Sequence, residues 1–254
     1  MKTRKSIIIK SSDEIKVLRE AGRILAEIMR SLKQSLTSGM TTRDVDAAAE
    51  ELIRCAGVKA AFKGYRGFPA SACVSVNEGV VHGIPGERVL RDGNIVSVDV
   101  GIFHEGFYSD MAFTAAVGQI HPNRQKLIDV TQNALHKGIE QAKPKNRLSD
   151  ISWTIQNYVE AQGFSVVRDF VGHGIGRNLH EDPEIPNYGQ PGRGPVLEPG
   201  MVLAIEPMVN MGTWKTKVFE DGWTVVTQDG MPSAHFEHTI AVTDNGPEIL
   251  TKVV

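Results

Sequence analysis

The chain alternates between segments with a helical spacing of apolar residues and segments with a strand-like spacing. A capping-box sequence at 11–14 opens the first helix, whose apolar residues recur every three or four positions until Gly39 ends it. The same signals predict helices over 41–57, 122–142 and 149–163. Sequence rich in Gly, Val and aromatic residues, typical of strands and turns, follows each pair of helices. Two helices followed by strands, twice over, indicate an internal duplication.

Aligned residues support this duplication. Leu90–Asp99 matches Leu197–Glu206, with Leu, Gly, the apolar positions and a terminal carboxylate in step. His82–Pro85 likewise matches His173–Gly176, and the different offset of the two alignments fits an insertion after Gly176. Because no low-complexity linker separates the halves, we expect one fused domain with pseudo-twofold symmetry.

Composition excludes several classes of protein. The 254 residues are 41% hydrophobic, which is ample for a core, and a net charge of −2 argues against a generally basic nucleic-acid binder. Cys55 and Cys73 are too few for a disulfide framework, so we expect two reduced, mostly buried thiols. Lys2, Arg4 and Lys5 precede an apolar run that is too short for a secretory signal, and no run is long enough to span a membrane. We therefore expect a cytoplasmic protein.

Asp99 interrupts an otherwise apolar strand. Burying a carboxylate there is unfavourable unless the group is paired or bound to a metal. The sequence after it predicts a hairpin turn over 104–106 and a partner strand that contains Asp110. If Phe103 pairs with Gly106, the two aspartates lie directly opposite each other, with Cβ atoms ~5 Å apart. Two carboxylates at this range repel, and a divalent cation between them removes the repulsion.

The second half of the chain supplies three further candidate ligands. Glu206 ends a strand immediately before Pro207, and Glu237 lies inside strand-like sequence. His173 lies between glycines, which allow a tight turn and a close approach of other groups. Each of these residues alone is compatible with an ordinary structural role, but their placement at equivalent points of two repeats favours a metal site. Four carboxylates carry four negative charges, which two divalent ions would neutralise.

Four stretches of sequence carry a family resemblance: Asn77–Pro85, His173–Pro183, Ala204–Pro207 and Glu237–Thr239. With them the sequence resembles the methionine aminopeptidases of the short bacterial type (type I), within the pita-bread metallopeptidase family, from about residue 15 to 251. The resemblance implies an α+β, creatinase/aminopeptidase-like fold. In that fold a curved antiparallel sheet surrounds a dinuclear metal site, helices pack on the outer side, and the halves are related by a pseudo-twofold duplication.

The resemblance also implies an activity, the hydrolytic removal of the initiator methionine from nascent proteins and peptides when the second residue is small. Its five metal ligands would be Asp99, Asp110, His173, Glu206 and Glu237. Asp110 and Glu237 would bridge two divalent ions (cobalt, manganese, iron or zinc), which would activate a water molecule. Glu206 would shuttle its proton. His180 would polarise the scissile carbonyl, and His82 would contact the substrate amide nitrogen.

The family's methionine pocket would map onto six side chains: Phe62, Tyr65, Phe68, Cys73, Leu179 and Trp223. A thioether suits a deep apolar pocket with aromatic walls. Leu179 stands where we expect an aromatic residue in close relatives. The expected partner is the N-terminal methionine of nascent polypeptides, and the expected state is a cytoplasmic monomer with no membrane or direct nucleic-acid role. Transient association with the ribosome and the physiological metal are left open by the sequence.

Residues 1–254 are interpreted as a single catalytic domain, with pseudo-repeats at about 13–120 and 121–251. The nearest alternative, a proline-directed dipeptidase or aminopeptidase of the same fold, usually has an additional N-terminal domain, for which this chain has no room. The larger eukaryotic and archaeal methionine aminopeptidases have a helical insertion that we do not find after His180. A non-catalytic binding module should have lost ligands, and a purely structural metal site would not need His82 and His180 beside it.

Overall fold

The computed structural model of the protein describes residues 7–253, so Lys2, Arg4 and Lys5 lie outside the described residues. The helices begin where the capping signals predict. In the first two helices, the side chain of the capping residue, Ser11 or Thr41, accepts a hydrogen bond from the N–H of the third helical residue. The acidic side chain of that third residue in turn accepts a hydrogen bond from the N–H of the capping residue. The helices are α1 (Ser12–Ser35), α2 (Thr42–Cys55), α3 (Pro122–Ile139) and α4 (Leu148–Ala161), with one turn of 3-10 helix at Tyr65–Gly67.

All four helices end before their predicted limits, α2 and α4 by two residues, and α1 and α3 by three or four. Helix α1 stops four residues before Gly39, because Leu36 already has an extended backbone and the N–H of Gly39 donates to the carbonyl of Leu90 instead. Helix α3 ends at Ile139 rather than at residue 142. A further correction concerns the thiols, since Cys73 is buried but Cys55, at the end of α2, is exposed.

One large antiparallel sheet dominates the strands. The strands are β1 (Lys59–Ala60), β2 (Ala72–Val76), β3 (Gly79–Val81), β4 (Ile95–His104), β5 (Phe107–Ala116), β6 (Ser165–Val166), β7 (Gly172–Gly174), β8 (Glu181–Ile185), β9 (Val202–Ile205), β10 (Met208–Asn210), β11 (Thr216–Val218), β12 (Val225–Thr227), β13 (Ser233–His235), β14 (Glu237–Thr243) and β15 (Gly246–Ile249). The large sheet has the order β1-β4-β5-β14-β9-β7-β8, with β2 paired to β4 and β15 paired to β14. The other two sheets have three strands each, β13-β10-β6 and β11-β12-β3.

The register of the β4–β5 hairpin differs from the prediction. Its loop consists of Glu105 and Gly106, both with positive φ (46° and 90°), as a two-residue type I′ turn requires. Gly106 is therefore a turn residue and does not pair with Phe103. Asp110 lies opposite Gly101 and not opposite Asp99, so the two aspartates are diagonal neighbours on the same face.

The two faces of β4 have different surroundings. Val98 and Val100 are fully buried in the same core cluster as Leu25 and Met29 of α1, so the apolar face lies against the helices. The other face carries Ser97, Asp99 and Gly101 towards the inside of the sheet. The polar face of β4 is therefore on the inner side of the sheet. In the described part of the chain, no helix combines the length and apolarity of a membrane span.

Candidate metal centre and substrate pocket

Five neighbouring strands bring the predicted ligands to one cavity of roughly 640 Å³, a volume that includes its open mouth. The strands are consecutive in the sheet, in the order β4-β5-β14-β9-β7. Asp99 lies in the middle of β4 and Asp110 in β5, while Glu237 is the first residue of β14. Glu206 directly follows β9, and His173 is the central residue of β7. All five side chains line this cavity.

The ligand atoms of these residues are close enough to share a cation. One donor atom each of Asp110, His173 and Glu237 lies within 4.8 Å of the other two. The Nε2 atom of His173 is 3.5 Å from Oε1 of Glu206. Asp99 belongs to the same set, because its carboxylate interacts electrostatically with those of Asp110 and Glu206. The five residues therefore converge although they are far apart in sequence.

Burial makes the ionised form of each carboxylate unfavourable. It raises the pKa of Asp110 to about 7. Burial, followed by repulsion from Asp110 and other carboxylates of the group, raises the pKa values of Asp99, Glu206 and Glu237 well above their usual range. Without a positive charge among them, these groups hold protons at pH values where exposed carboxyl groups are ionised.

The donor set fits divalent cations. Asp99 Oδ1 and Glu237 Oε1 are buried without a hydrogen-bond partner, so both oxygens are free to bind a metal. His173 Nδ1 lies 2.9 Å from the carbonyl oxygen of Gly174, which fixes the ring and leaves Nε2 as a ligand atom. Burial lowers the pKa of His173 to about 4, so the ring is neutral, as metal binding requires. Carboxylate oxygens with one imidazole suit Mn, Fe, Co or Zn.

Two further histidines line the same cavity. His180 stacks on Tyr65 with ring centroids 5.4 Å apart, and the Tyr65 hydroxyl is 3.0 Å from Nδ1 of His180. Burial, then the neighbouring His173 ring and the Arg66 guanidinium, lowers the pKa of His180 to about 3. His82 has a left-handed backbone (φ 57°), and its ring lies edge-on to Trp223, 6.1 Å between centroids. Burial also lowers the pKa of His82. Both rings are therefore neutral near pH 7.

Apolar side chains close the rest of the cavity. Phe68 and Trp223 meet edge to face, with ring centroids 5.2 Å apart. Gly101 provides the space for Phe62, since a Cβ there would lie only 2.6 Å from the Phe62 ring. Cys73 pairs with Asp99 across β2 and β4, and burial, then the charge of Asp99, raises the pKa of its thiol. The residues predicted for the pocket all line this cavity: Phe62, Tyr65, Phe68, Cys73, Leu179 and Trp223.

Sequence reasoning missed two residues beside the site. Arg66 lines the cavity with its guanidinium over the Tyr65 ring, 5.3 Å from the centroid. Its left-handed backbone (φ 50°) has no sequence signal, because only a glycine or asparagine would have suggested it. His235 lies within 4.8 Å of donor atoms of Glu206 and Glu237. The sequence signal that could have identified His235 is its position two residues before Glu237, because residues two apart in an extended segment lie on the same face.

Comparison with known proteins gives the family. The model of "Metallopeptidase family M24" matches residues 16–244. The chain belongs to metallopeptidase family M24. A methionine aminopeptidase of Clostridium perfringens is 58% identical over 247 residues, which cover 97% of this chain and 99% of that protein.

Solved structures agree with this family. The crystal structure of methionine aminopeptidase from Thermotoga maritima has a TM-score of 0.95 at 51% identity, covering 97% of this chain and 100% of that one. The prolidase from Pyrococcus horikoshii shares the fold more distantly, with a TM-score of 0.78 at 25% identity, and this chain covers 64% of it. The predicted fold class, an α+β pita-bread fold with a curved antiparallel sheet and helices on its outer side, is confirmed.

Proposed function

We propose that this chain, a metal-dependent aminopeptidase that removes N-terminal methionine, works with two divalent cations held by five side chains. These are Asp99, Asp110, His173, Glu206 and Glu237. The observation that carries the proposal is the convergence of these donors with an apolar, aromatic pocket on one cavity. The metal ligands alone would fit many metalloproteins, and the apolar pocket alone would fit many binding proteins. Together they favour an aminopeptidase that acts on an apolar N-terminal residue.

The number of cations follows from charge. Four ionised carboxylates with one neutral imidazole carry a charge of −4, and two divalent ions balance it, whereas one ion leaves two negative charges in a buried site. In the proposed arrangement Asp110 and Glu237 would hold both ions. Asp99 would be a further ligand of one ion, and His173 and Glu206 would be further ligands of the other. The short separations among donor atoms of Asp110, His173 and Glu237 support this division.

The reaction is hydrolysis of the first peptide bond. Divalent cations at these side chains would supply a water molecule acidic enough to act as the nucleophile near pH 7. Glu206 accepts the proton that this water loses and delivers it to the leaving amine.

The two neutral histidines act on the substrate by hydrogen bonding. In the tautomer that this role requires, the Tyr65 hydroxyl, 3.0 Å away, donates to Nδ1 of His180, and the ring proton on Nε2 makes that atom a donor. In this role His180 stabilises the negative charge that develops on the scissile carbonyl oxygen. His82, on the same cavity, contacts the amide nitrogen of the scissile bond.

The pocket selects methionine by its chemistry. Phe62, Phe68, Leu179 and Trp223 provide an apolar wall, and thioether sulfur gains ~0.3–1.5 kcal/mol from each favourable aromatic contact. Tyr65 and His180 also border an adjoining groove, through which the rest of the peptide would leave. We propose that this stacked pair limits the second residue of the substrate to small side chains.

The remaining parts of the proposal follow from the family resemblance. We propose that the substrates are nascent polypeptides and that the protein is a cytoplasmic monomer. We also propose that residues 1–254 form a single catalytic domain with two pseudo-repeats. The recurrence of two helices followed by strands supports the last of these.

A tripeptide assay tests the proposed function. Apo-protein is prepared with a chelator, reloaded with Mn²⁺, Fe²⁺, Co²⁺ or Zn²⁺, and supplied with Met-Ala-Ser or Ala-Pro-Ser. We expect release of free methionine from Met-Ala-Ser, only after a metal is restored, and no cleavage of Ala-Pro-Ser. Preference for Ala-Pro-Ser would support a proline-directed peptidase instead, and turnover without metal would contradict the mechanism.

A further inference from the structure

His235 is a buried imidazole that the proposed mechanism does not use. Its exposed fraction is 2%, and its Nε2 atom has no hydrogen-bond partner. The nearest acidic group is the carboxylate of Glu206, whose Oε2 lies 3.6 Å from this Nε2. The other oxygen of the same carboxylate, Oε1, faces Nε2 of His173 at 3.5 Å. Glu206 therefore lies between two imidazoles, with one ring beside each oxygen.

The backbone holds His235 at a fixed place relative to Glu206. The N–H of His235 donates to the hydroxyl of Thr114 (2.8 Å), and that hydroxyl donates to the carbonyl of His235 (2.8 Å). His235 also pairs with Met208 in β10, two residues after Glu206. The backbone of His235 is thus held by β5 on one side and by β10 on the other.

The location of His235 distinguishes it from the proposed ligands. All five proposed ligands line the cavity, whereas His235 is not among the described residues that line it. A donor atom of His235 lies within 4.8 Å of donor atoms of both Glu206 and Glu237. His235 is therefore next to two proposed metal ligands without lining the cavity in which the substrate would bind.

We infer that His235 is a positioning residue, whose Nε2–H donates a hydrogen bond to Oε2 of Glu206 and so keeps Oε1 turned towards His173. Buried N–H groups in native proteins are nearly always paired, and Oε2 of Glu206, at 3.6 Å, is the nearest carboxylate oxygen to this Nε2. The separation of 3.6 Å closes to hydrogen-bond length by a small rotation of either side chain, and hydrogen bonds at catalytic sites commonly tighten when substrate binds. The inference rests on the proposed function, because it assigns His235 to the residue that moves the proton.

Three substitutions separate hydrogen bonding by His235 from simple space filling and from metal binding. His235→Gln keeps an amide N–H close to the position of Nε2, whereas His235→Asn is one methylene shorter and places its amide near the position of Nδ1. His235→Leu fills the space without a donor. His238→Gln is the control, because His238 is a half-buried imidazole of the next strand, with the hydroxyl of Thr251 2.9 Å from its Nδ1. For each protein we would measure kcat and KM on Met-Ala-Ser at saturating Mn²⁺, and the Mn²⁺ affinity of the apo-protein.

We expect a loss of ~10–100-fold in kcat for His235→Leu and His235→Asn, with KM and the number of bound Mn²⁺ unchanged. His235→Gln should stay within about threefold of the unaltered protein, as should His238→Gln. The inference would be overturned if all three His235 variants kept the kcat of the unaltered protein. It would also be overturned if His235→Gln lost as much kcat as His235→Leu. Loss of one bound Mn²⁺ in all three would overturn it too, by showing that His235 is a ligand. If the unaltered protein releases no methionine, the proposed function fails; if it does, only the inference is being tested.

Discussion

The protonation state of His180 decides what this residue is able to do. Burial lowers its pKa to about 3, so the ring is neutral over the whole range in which the protein would work. A neutral ring that accepts the Tyr65 hydroxyl at Nδ1 presents one N–H, at Nε2. His180 is therefore suited to donate a hydrogen bond to a developing oxyanion and is unsuited to act as an acid.

Replacing His180 tests this role. We expect His180→Ala to lower kcat on Met-Ala-Ser by ~100–1,000-fold, the usual effect of removing one oxyanion donor. The number of bound cations should stay unchanged, which metal analysis of the purified variant would measure. A variant that has lost a cation would instead identify His180 as a ligand.

Most residues of the candidate site could be predicted from residue types and motifs in the sequence. The glycine-flanked His173 and the carboxylates inside apolar strands stand out in sequence because such placements are otherwise unfavourable. Arg66 and His235 do not stand out in this way. Arg66 reaches the cavity because of one left-handed backbone conformation, and His235 acquires its neighbour Glu206 through strand pairing. Both depend on tertiary geometry that no local pattern encodes.

At the level of the elements, the β4–β5 hairpin shows where sequence reasoning reaches its limit. Alternation identified both strands and the face that carries Asp99, because the period of two is local. The register depended on a single turn, and the type I′ geometry of Glu105-Gly106 moved every cross-strand pair by two positions. A shift of two keeps each side chain on its face, so the predicted site was preserved although the predicted pair was wrong.

A buried ion pair ties the N-terminal segment to the strand next to His180. Lys10 Nζ lies 2.6 Å from Oε2 of Glu181, and both side chains are only 3% exposed. The other oxygen of Glu181 accepts the N–H of Asn178. Since Glu181 directly follows His180, this pair holds the loop that presents the histidine to the cavity.

Removing the positive charge should destabilise the protein. We expect Lys10→Met to lower the free energy of unfolding by ~3–5 kcal/mol, because it leaves the Glu181 carboxylate buried without a partner. Lys16→Met is the control, since the Lys16–Asp13 pair is exposed and solvent screens it, so its loss should change the free energy of unfolding little. Urea denaturation of the apo-proteins gives both values. The double variant Lys10→Met/Glu181→Gln should recover part of the loss, and equal destabilisation by the two single lysine variants would contradict this role of the pair.

For the whole molecule, the carboxylate cluster couples stability to pH. Asp110 has a pKa of about 7 in the fold against 3.8 in a reference chain, so the folded state binds more protons and loses stability as pH rises. Histidines whose pKa is lowered act in the opposite sense, because their folded pKa values lie below 6.5, and their contribution is complete above that pH. They include His173, His180, His235 and His238. Between about pH 6.5 and 8 the carboxylates are therefore the main contributors to this pH dependence.

The apo-protein should accordingly become less stable between about pH 6.5 and 8. Asp110 alone contributes ~1 kcal/mol over this range, and the other three carboxylates act in the same direction. For a chain of this size ~1 kcal/mol lowers Tm by ~2–4 °C. Added Mn²⁺ should raise Tm more at pH 8 than at pH 6.5, because binding the cation displaces protons. Calorimetry at both pH values measures this, and an apo-protein whose Tm rises with pH would contradict it.

The proposed mechanism depends on side chains from five strands meeting around a pair of cations. Anomalous diffraction at the manganese edge, from crystals grown with Mn²⁺, locates these cations directly. We predict two manganese peaks inside the cavity, both in contact with Asp110 and Glu237, one also with Asp99 and the other with His173 and Glu206. A single peak at saturating Mn²⁺, or peaks bound by other residues, would contradict the dinuclear site.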